Sequence, residues 1–192
     1  DMINRSVPGY ATVVGMTGAL AAQHARPGSQ IYDLGCSWGA SLLSVAREPA
    51  CDRCELIGID NSVSMLEQAS NHLAQFPEAK RIQLQYADVL DTPLHNASVV
   101  IMNYTLQFIP TEEREGLLKR IRETMMPGDV LILSEKLTLP DPRLNKYLID
   151  LHHDFKRQQG YSDLEIAQKR QALEDVLVPE TRQTHVERLQ KV

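Results

Sequence analysis

The stretch QIYDLGCSWG, from Gln30 to Gly39, decides the fold of this chain. It begins as a short apolar run, which predicts a β-strand, and continues into a tight turn bracketed by Gly35 and Gly39. Residues 40–47 predict a helix directly after the turn. A strand that leads through a glycine turn into a helix presents backbone N–H groups and the positive end of a helix at one edge of a sheet. The pattern therefore predicts a binding site for an anionic or strongly polar ligand.

Strands and helices alternate along most of the chain. Further strands are predicted where short apolar or alternating runs occur, at residues 54–60, 82–86, 97–103 and 130–133. Helical segments separate them, the first beginning at Ser6 and ending at Pro27, and the last running from Thr111 to Met126. Five strands that alternate with helices are typical of a doubly wound parallel sheet. The sequence therefore predicts an α/β fold with five parallel strands.

The pattern changes after Pro142, where only helices are predicted. Residues 143–159 predict a helix that ends at Gly160, and residues 162–165 form a capping box that begins another. A second box at residues 184–187 predicts the start of a last helix. We expect a single domain over residues 1–192, with a helical cap at residues 142–178 inserted within it.

Composition and charge exclude several classes of function. The net charge of -5 argues against a surface that grips nucleic acid through its phosphates. No apolar run is long enough to cross a bilayer, so we expect no membrane contact. Three cysteines indicate a reducing compartment, and hence the cytoplasm. Cys51 and Cys54 have C-x-x-C spacing, but no second pair follows at the spacing of a zinc site, so free thiols are expected.

Polar side chains follow the predicted strands at the edge where ligands bind in open parallel sheets. These strand ends carry Asp33, Asp60, Asp88, Asn103 and Glu135. Asp60 is spaced to accept hydrogen bonds from both hydroxyls of a ribose, although an acid at this position can also cap the next helix. Asp88 is spaced to accept from an adenine amino group, and spacing alone does not decide this role.

The glycine turn separates two classes of cofactor. A dinucleotide site has the pattern G-x-G-x-x-G, in which the second glycine lets backbone approach a pyrophosphate. Here the glycines are Gly35 and Gly39, with Ser37 between them, which fits a pyrophosphate poorly. The turn instead resembles the first motif of class I S-adenosylmethionine-dependent enzymes, whose middle glycine is replaced by Ser37.

Seven stretches of the chain together resemble the carboxy-S-adenosyl-L-methionine synthase family. They cover essentially the whole chain in the family's order, and Ser37 is the family's own pattern. They are RSVPGY at 5–10, DLGCS at 33–37, IDNS at 59–62, NYTLQF at 103–108, LSEK at 133–136, HHDFKR at 152–157 and GYSDLEIAQKR at 160–170. The resemblance implies a Rossmann-like class I fold with a helical insertion after the fifth strand. In the family two more strands follow, which would lie outside this sequence and leave the edge of the fifth strand exposed.

The same resemblance implies an unusual reaction. Such enzymes convert S-adenosyl-L-methionine and prephenate to carboxy-S-adenosyl-L-methionine and phenylpyruvate. A separate enzyme then uses the product to build the 5-oxyacetic acid group on wobble uridine in tRNA, so this chain need not touch nucleic acid. Members of the family form homodimers, and the helical insertion is the expected interface.

Residues matching the family's ligand positions lie mainly at the strand ends. The resemblance implies that the nucleoside and amino-acid parts of the ligand are held by Tyr10, Gly35, Cys36, Ser37, Asp60, Asn61, Asp88, Val89 and Asn103. A side chain at position 35 is expected to block the approach of backbone to the ligand. Tyr10 is expected to lid the site, although a helical tyrosine often only packs. Arg5 and Lys136 are candidates for holding prephenate.

Arg170 is the expected catalytic residue. It lies four residues after Ile166 and three before Leu173, on the predicted apolar stripe of a helix. An arginine on an inward stripe usually meets an anion, although its stem can also pack while its head reaches solvent. The resemblance implies that Arg170 binds the carboxylate added to the cofactor.

Two rival functions remain open, and no metal is expected. His152 and His153 are adjacent in a predicted helix, so their side chains point about 100° apart and do not readily serve one ion. An ordinary S-adenosylmethionine-dependent methyltransferase would share the strand-end features without needing Arg170. A non-catalytic nucleoside-binding module would bind the ligand and turn nothing over.

Overall fold

The computed structural model describes residues 2–173 and 176–192, and its centre is a five-stranded parallel sheet. In chain order the strands are β1 Gln30–Leu34, β2 Glu55–Asp60, β3 Ile82–Tyr86, β4 Ala97–Asn103 and β5 Val130–Ser134. Their order across the sheet is β3-β2-β1-β4-β5, and all four pairings are parallel. The predicted doubly wound sheet is confirmed. Strand order reverses between β1 and β4, which places the glycine turn at the switch point where ligands bind in such sheets.

Eight α-helices occur in the described part of the chain. They are α1 Met2–Ser6, α2 Tyr10–His24, α3 Ala40–Ala46, α4 Val63–Leu73, α5 Arg114–Glu123, α6 Pro142–Gln158, α7 Asp163–Leu173 and α8 Arg182–Gln190. Short 3₁₀ turns occur at Pro49–Cys51, Pro77–Arg81 and Leu106–Phe108. None of the described helices is long and apolar enough to cross a membrane.

The sheet is buried between two helical layers because its side chains alternate between its two faces. Tyr32 belongs to the cluster that contains Leu117 of α5, whereas the next residue back, Ile31, packs in the cluster that contains Leu42 of α3. Six of the seven residues of β4 are fully buried, as its mostly apolar sequence predicts. This double burial fixes the strand ends rigidly at one edge.

β5 forms one edge of the described sheet, as expected. All five of its residues are only partly buried. A groove separates the strand from α2 and is lined by Val13, Met16 and Leu20 on the helix side. The uncovered strand therefore borders apolar side chains.

Three helix starts differ from the sequence-based predictions. Ser6 ends α1 instead of beginning a helix, because Gly9 adopts a left-handed φ of 73° and redirects the chain into α2. α5 begins at Arg114 because residues 111–113 form a turn. α8 is capped by Thr181, whose hydroxyl accepts the N–H of Thr184 at 3.1 Å, so the box predicted at residues 184–187 was wrong. The box at residues 162–165 is confirmed by reciprocal hydrogen bonds between Ser162 and Glu165.

A buried ion network fastens the segment before α8 to α5. The guanidinium of Arg114 is fully buried and contacts Glu180 at 2.5 Å. Arg188 of α8 contacts the same carboxylate at 2.5 Å. Although burial alone would raise the pKa of Glu180, hydrogen bonds from Arg188 and Arg114 lower it below its usual value. One carboxylate is thus shared by two arginines that are shielded from water, and it offsets one of their two positive charges.

α6 carries an apolar face that no described residue covers. None of its residues is fully buried. Leu144, Tyr147, Leu148 and Leu151 recur at three- and four-residue spacing on one side of the helix, and all four are exposed. An amphipathic helix of this length normally packs its apolar face against another element.

Candidate active site

The glycine turn between β1 and α3 is held closely against the end of β2. The N–H groups of Gly35 and Cys36 both donate to the carbonyl of Ile59, at 2.8 and 2.9 Å. Gly35, Ser37 and Gly39 all have left-handed φ, of 79°, 48° and 76°. Since serine adopts this region reluctantly, the conformation explains why the general motif has glycine where this chain has Ser37.

Gly35 is required by the protein itself. A Cβ at this position would lie 2.5 Å from the side-chain hydroxyl of Thr105, which follows β4. This clash is a reason for glycine within the fold itself, and the expectation that a side chain here would also block the ligand stays a prediction. The left-handed φ at the same position gives a second reason for glycine.

Asp60 joins the turn to the next helix. One carboxylate oxygen accepts the N–H of Ser37 at 2.9 Å, and the other accepts the N–H of Ser62 at 2.9 Å. Ser62, rather than Asp60, is the N-cap of α4, because its hydroxyl accepts the N–H of Met65. An ionised carboxylate offers about four acceptor positions, so these two bonds leave capacity for ligand hydroxyls.

Asn61 and Asp88 meet at the ends of β2 and β3. The side-chain amide of Asn61 donates to Asp88 at 3.2 Å, and the second oxygen of Asp88 accepts the N–H of Leu90 at 2.9 Å. Val89 is buried, and its carbonyl accepts from Arg120 at 3.0 Å. The structure thus brings together three of the predicted site residues on one side of the glycine turn.

Asn103 ends β4 with one half of its amide unpaired. Its Nδ2 donates to the hydroxyls of Thr17 and Ser41, at 3.1 and 3.0 Å. Its Oδ1 is buried and has no hydrogen-bond partner among the described residues. Buried acceptors are nearly always satisfied, so an unpaired one at the strand edge indicates a ligand that donates a hydrogen bond there.

The turn carries an excess of negative charge. Asp33, at 2% exposure, is not part of any ion pair in the described ranges. Burial and then the carboxylate of Asp60 raise its pKa to about 7. Burial and then Asp33 likewise raise the pKa of Cys36. Because nearby acids destabilise one another here, the site favours a positively charged ligand.

Two tyrosines flank the same edge. The rings of Tyr10 and Tyr104 are 6.3 Å apart, centroid to centroid. Burial, Asp33 and Tyr104 raise the pKa of Tyr10 to about 12, so its hydroxyl stays protonated. Tyr104 has a left-handed φ of 62°, which is strained for a bulky residue and is typical of functional sites.

Asp33 and Tyr104 had no role assigned from the sequence. From the sequence, Asp33 is one of several strand-end carboxylates, and Tyr104 is part of the stretch NYTLQF. Their positions at the end of β1 and directly after β4 are the signal that could have identified them, since ligands bind at this edge of an open parallel sheet. Glu135, by contrast, has a structural role, because it accepts the N–H groups of Leu106 and Gln107 at 2.8 and 3.2 Å.

Arg170 does not lie on an inward stripe. It is exposed, and Ile166 is the only buried residue in the described part of α7. Leu173, the expected neighbour on that stripe, is 39% exposed. The helix packs through few side chains, so its spacing does not define a buried face. Arg170 lies near His153 of α6, whose pKa is lowered by burial and then by Lys156, Arg157 and Arg170.

No metal site is formed by the described residues. They contain no group of three or more histidine, cysteine or acidic side chains that could hold an ion. His152 is instead engaged by the carbonyl of Ser6, with its Nε2 at 2.7 Å. Cys36, Cys51 and Cys54 are all buried free thiols.

Known proteins similar to this chain fall into two groups, distinguished by how closely they match. Residues 31–128 match the family profile described as a methyltransferase domain. Carboxy-S-adenosyl-L-methionine synthase of Hahella chejuensis is 49% identical over 196 residues, covering 100% of this chain and 79% of that protein. The proteins of the same name from Pseudoalteromonas translucida and Shigella sonnei are 48% and 46% identical, each again over 100% of this chain and over 80% and 77% of their own lengths.

Solved structures share the fold at much lower identity. The mitomycin 7-O-methyltransferase MmcR superposes with a TM-score of 0.62 at 19% identity, over 94% of this chain and 48% of its own. The glycopeptide N-methyltransferase MtfA, solved with S-adenosyl-L-methionine, gives 0.51 at 18% identity, over 62% of this chain and 52% of its own. These likenesses show the class I fold of S-adenosylmethionine-dependent methyltransferases.

Proposed function

The chain belongs to the carboxy-S-adenosyl-L-methionine synthase family, and we propose that it converts S-adenosyl-L-methionine and prephenate to carboxy-S-adenosyl-L-methionine and phenylpyruvate. The observation that carries this proposal is the similarity to synthases over the whole chain. The electrostatics of the glycine turn independently support the binding of S-adenosyl-L-methionine. A sulfonium ligand is cationic, and the turn gathers Asp33 and Asp60 without a compensating cation in the described residues.

The residues at the strand ends fit S-adenosyl-L-methionine in their donor and acceptor chemistry. Asp60 has acceptor capacity for the ribose hydroxyls, and Asp88 for the adenine amino group. Asn103 offers its unpaired Oδ1 to the ammonium of the methionine part. Tyr10 closes the site beside Asp33. The wall of this cofactor site is completed by the backbone and side-chain packing of Gly35, Cys36, Ser37, Asn61 and Val89.

The proposed reaction balances without an added oxidant or a strong protein base. Aromatisation of prephenate releases carbon dioxide and its ring hydroxyl as hydroxide, leaving phenylpyruvate. Hydroxide removes a proton from the methyl group, which the adjacent sulfonium acidifies, and forms water. The methyl carbon then bonds to carbon dioxide, which gives the carboxymethyl sulfonium. The protein must hold the two substrates together, exclude water and stabilise the new carboxylate.

Arg170 is proposed to stabilise that carboxylate. Its planar guanidinium matches a carboxylate in bidentate fashion, and it forms no ion pair with any described residue. Replacing Arg170 with alanine should therefore abolish the preference for carboxy-S-adenosyl-L-methionine over S-adenosyl-L-methionine, measured by calorimetric titration with each. Arg143, exposed near the start of α6, is a matched control and its alanine variant should keep the preference. A preserved preference in the Arg170 variant would show that this assignment is wrong.

Four further properties are proposed from the same family membership. The residues at 142–178 form a helical cap inserted in a single domain, of which α6 and α7 are part. The chain forms a homodimer, and the uncovered apolar face of α6 supports this. Its product serves a separate enzyme of wobble-uridine modification in tRNA, so the chain itself need not bind nucleic acid. It works in the cytoplasm, a compartment that suits its buried free thiols.

Mass spectrometry tests the proposed reaction directly. The purified protein is incubated with S-adenosyl-L-methionine and prephenate, then denatured, and the released small molecules are weighed. The expected product is heavier than the substrate by one carboxyl group in place of hydrogen, and phenylpyruvate appears in equal amount. Unchanged S-adenosyl-L-methionine and unconsumed prephenate would contradict the proposal.

An ordinary methyltransferase is the second candidate, because the methyltransferase profile covers residues 31–128. It would release S-adenosylhomocysteine in the presence of a methyl acceptor and would ignore prephenate. A nucleoside-binding module without catalysis would retain S-adenosyl-L-methionine unchanged. The same mass spectrum distinguishes all three functions.

A further inference from the structure

Four cationic side chains converge beside the candidate active site from four separate segments. They are Arg5 of α1, Lys136 after β5, Lys156 of α6 and Lys169 of α7, and we call them the basic cluster. Lys156 and Lys169 are partly buried, whereas Arg5 and Lys136 are more exposed. Residues so far apart in the chain meet only because the cap helices fold back onto α1 and the end of β5.

Tyr161 organises two members of the basic cluster. Its ring is 6% exposed and receives the guanidinium of Arg5 at 4.8 Å and the ammonium of Lys169 at 4.4 Å from its centroid. Lys169 also donates to the hydroxyl of Tyr161 at 3.0 Å. Arg5 is fixed further by a 2.9 Å hydrogen bond to the carbonyl of Gln159. The side chains of Arg5 and Lys169 are therefore held in fixed positions against the ring of Tyr161.

The lysines of the basic cluster are close enough to oppose one another's charge. The pKa of Lys156 is lowered by burial and then by Lys136 and Lys169. The pKa of Lys136 is also lowered, because the surrounding chain takes part of its ammonium out of water. The nearby imidazole of His152 has a lowered pKa because of burial, and Lys156 and Lys136 lower it further.

No carboxylate neutralises the basic cluster in residues 2–173 and 176–192. None of the ion pairs of these residues includes Arg5, Lys136, Lys156 or Lys169. Glu165 lies within electrostatic reach of Arg5 and Lys169, and one of its carboxylate oxygens accepts the N–H and the hydroxyl of Ser162, both at 2.8 Å. Its single negative charge offsets only part of the four positive charges. Partly buried like charges that outnumber their counter-charges destabilise the fold, and such arrangements occur where an anionic ligand supplies the missing charge.

The basic cluster borders the edge of the sheet where the cofactor residues lie. Lys136 comes two residues after Ser134, whose carbonyl accepts the N–H of Tyr104 at 2.7 Å. On the other side, Arg5 belongs to α1, which leads through Gly9 into Tyr10 at the start of α2. One member of the basic cluster thus lies two residues from the backbone partner of Tyr104, and another lies five residues before Tyr10.

We infer that the basic cluster is a binding site for a small dicarboxylate, and that Lys156 and Lys169 pair with its two carboxylates. This inference rests on the proposed function, in which prephenate is the dicarboxylate. The charges of the two sites are complementary to the two substrates. Acidic residues at the glycine turn suit the sulfonium, whereas the basic cluster suits the dianion that must lie beside it for carbon to be transferred.

Steady-state kinetics with charge-removing variants test the inference. Lys156→Gln and Lys169→Gln should each raise the KM for prephenate by about tenfold or more, because each loses a charge-assisted hydrogen bond. Their calorimetric affinity for S-adenosyl-L-methionine should stay within about twofold of that of the original protein. Lys156→Arg, which keeps the positive charge, should have a KM for prephenate close to the original value. Lys80→Gln is the matched control, since Lys80 is exposed in the turn before β3, and its KM for prephenate should not change.

Two results separate failure of the inference from failure of the proposed function. An active original protein whose KM for prephenate is unchanged in both glutamine variants would overturn the inference alone. An original protein that makes no carboxy-S-adenosyl-L-methionine would overturn the function. In that case, calorimetric binding of prephenate that depends on Lys156 and Lys169 would still support the dicarboxylate site. Lysine-dependent binding of an RNA oligonucleotide without any effect on prephenate would assign the cluster to phosphates and overturn the inference.

Discussion

Asp33 is a buried carboxylate whose pKa is raised far above that of an acid in water. Its carboxylate is buried at the end of β1, beside Asp60 and the hydroxyl-bearing ring of Tyr10. A group with a pKa near 7 changes charge within the physiological range. Protonation of Asp33 should therefore influence both how stable the chain is and how tightly it holds a cationic ligand.

Stability should fall as the pH rises past Asp33's titration. The pKa of Asp33 is raised from 3.8 to about 7 in the folded chain, so the folded state binds more protons than the unfolded state between these values. The burial of Asp33 therefore lowers the free energy of unfolding least below pH 4 and most above pH 7, where the pKa shift corresponds to about 4 kcal/mol. Asp33→Asn should raise the free energy of unfolding at pH 8 and leave it nearly unchanged at pH 4, measured by urea denaturation. An equal effect at both pH values would show that Asp33 is not the titrating group.

Affinity for S-adenosyl-L-methionine should rise with pH up to about 7. A cationic ligand binds the ionised form of Asp33, so below the pKa of about 7 each bound ligand must displace a proton. Calorimetric titrations between pH 5.5 and 7.5 should show affinity falling by as much as about tenfold per unit of acidification. The Asp33→Asn variant should bind more weakly and without this slope. A slope that survives in the variant would point to another acid.

For single residues, the sequence predicted which side chains lie at the site better than it predicted their hydrogen bonds. The strand-end positions of Asp60, Asp88 and Asn103 follow from apolar runs, and the structure does bring them to one edge. That Asp60 binds the N–H of Ser37 depends on a left-handed backbone, which the sequence does not reveal. The buried stripe expected for Arg170 was wrong, because α7 buries only Ile166 among its described residues.

Elements were predictable where their patterns were continuous. The bounds of β4 are those predicted, because a long apolar run buried on both faces has few alternative structures. Helix starts were less predictable, because several residues near each start can cap. Thr181 and Thr184 compete for one cap, and only the extended backbone at Thr181 lets its hydroxyl reach the following N–H.

The contact of α8 with α5 provides a test at the scale of elements. Glu180→Gln removes the one carboxylate shared by Arg114 and Arg188 and leaves two shielded cations without a counter-charge. The free energy of unfolding in urea should fall by about 3 kcal/mol.

Glu115→Gln is the matched control for this variant. Glu115 pairs with Lys119 at 2.7 Å on the exposed side of α5 and reaches Lys191, at the end of α8, only at 3.8 Å, so its loss should leave the free energy of unfolding nearly unchanged. If both variants lost the same small amount, the buried network would not be what fastens α8 to α5.

The whole molecule is expected to associate through α6. Leu148→Glu places a charge in the centre of the uncovered apolar face formed with Leu144, Tyr147 and Leu151. Sedimentation equilibrium should give twice the chain mass for the original protein and a single chain mass for the variant, because burying an unpaired carboxylate is unfavourable.

Lys146→Gln serves as the control for association. Lys146 lies on α6 and is paired with Asp150, so losing its charge should leave the dimer intact. A dimer that persists in Leu148→Glu would place the interface elsewhere.

The architecture of the whole chain was predictable because it depends on the order of strands and helices more than on any single residue. The packing of the cap was not predictable, because α6 and α7 bury few side chains and both helices leave apolar residues exposed. Patterns of apolar spacing predict which side of a helix faces a core. They say less about a helix that rests on a small contact area within the chain.

The strand order also determines when the sheet can form while the chain is being synthesised on the ribosome. β1 lies at the centre of the sheet, yet its neighbour on one side is β4, with Gln30 opposite Ala97. The nascent chain can pair β1 with β2 early, but its other edge stays open until Asn103 has emerged from the exit tunnel. Throughout that interval the apolar side chains of β1 have no partner on that flank and are exposed to aggregation. The glycine turn therefore becomes complete only after β4 has been translated, since Thr105, which follows that strand, packs against Gly35.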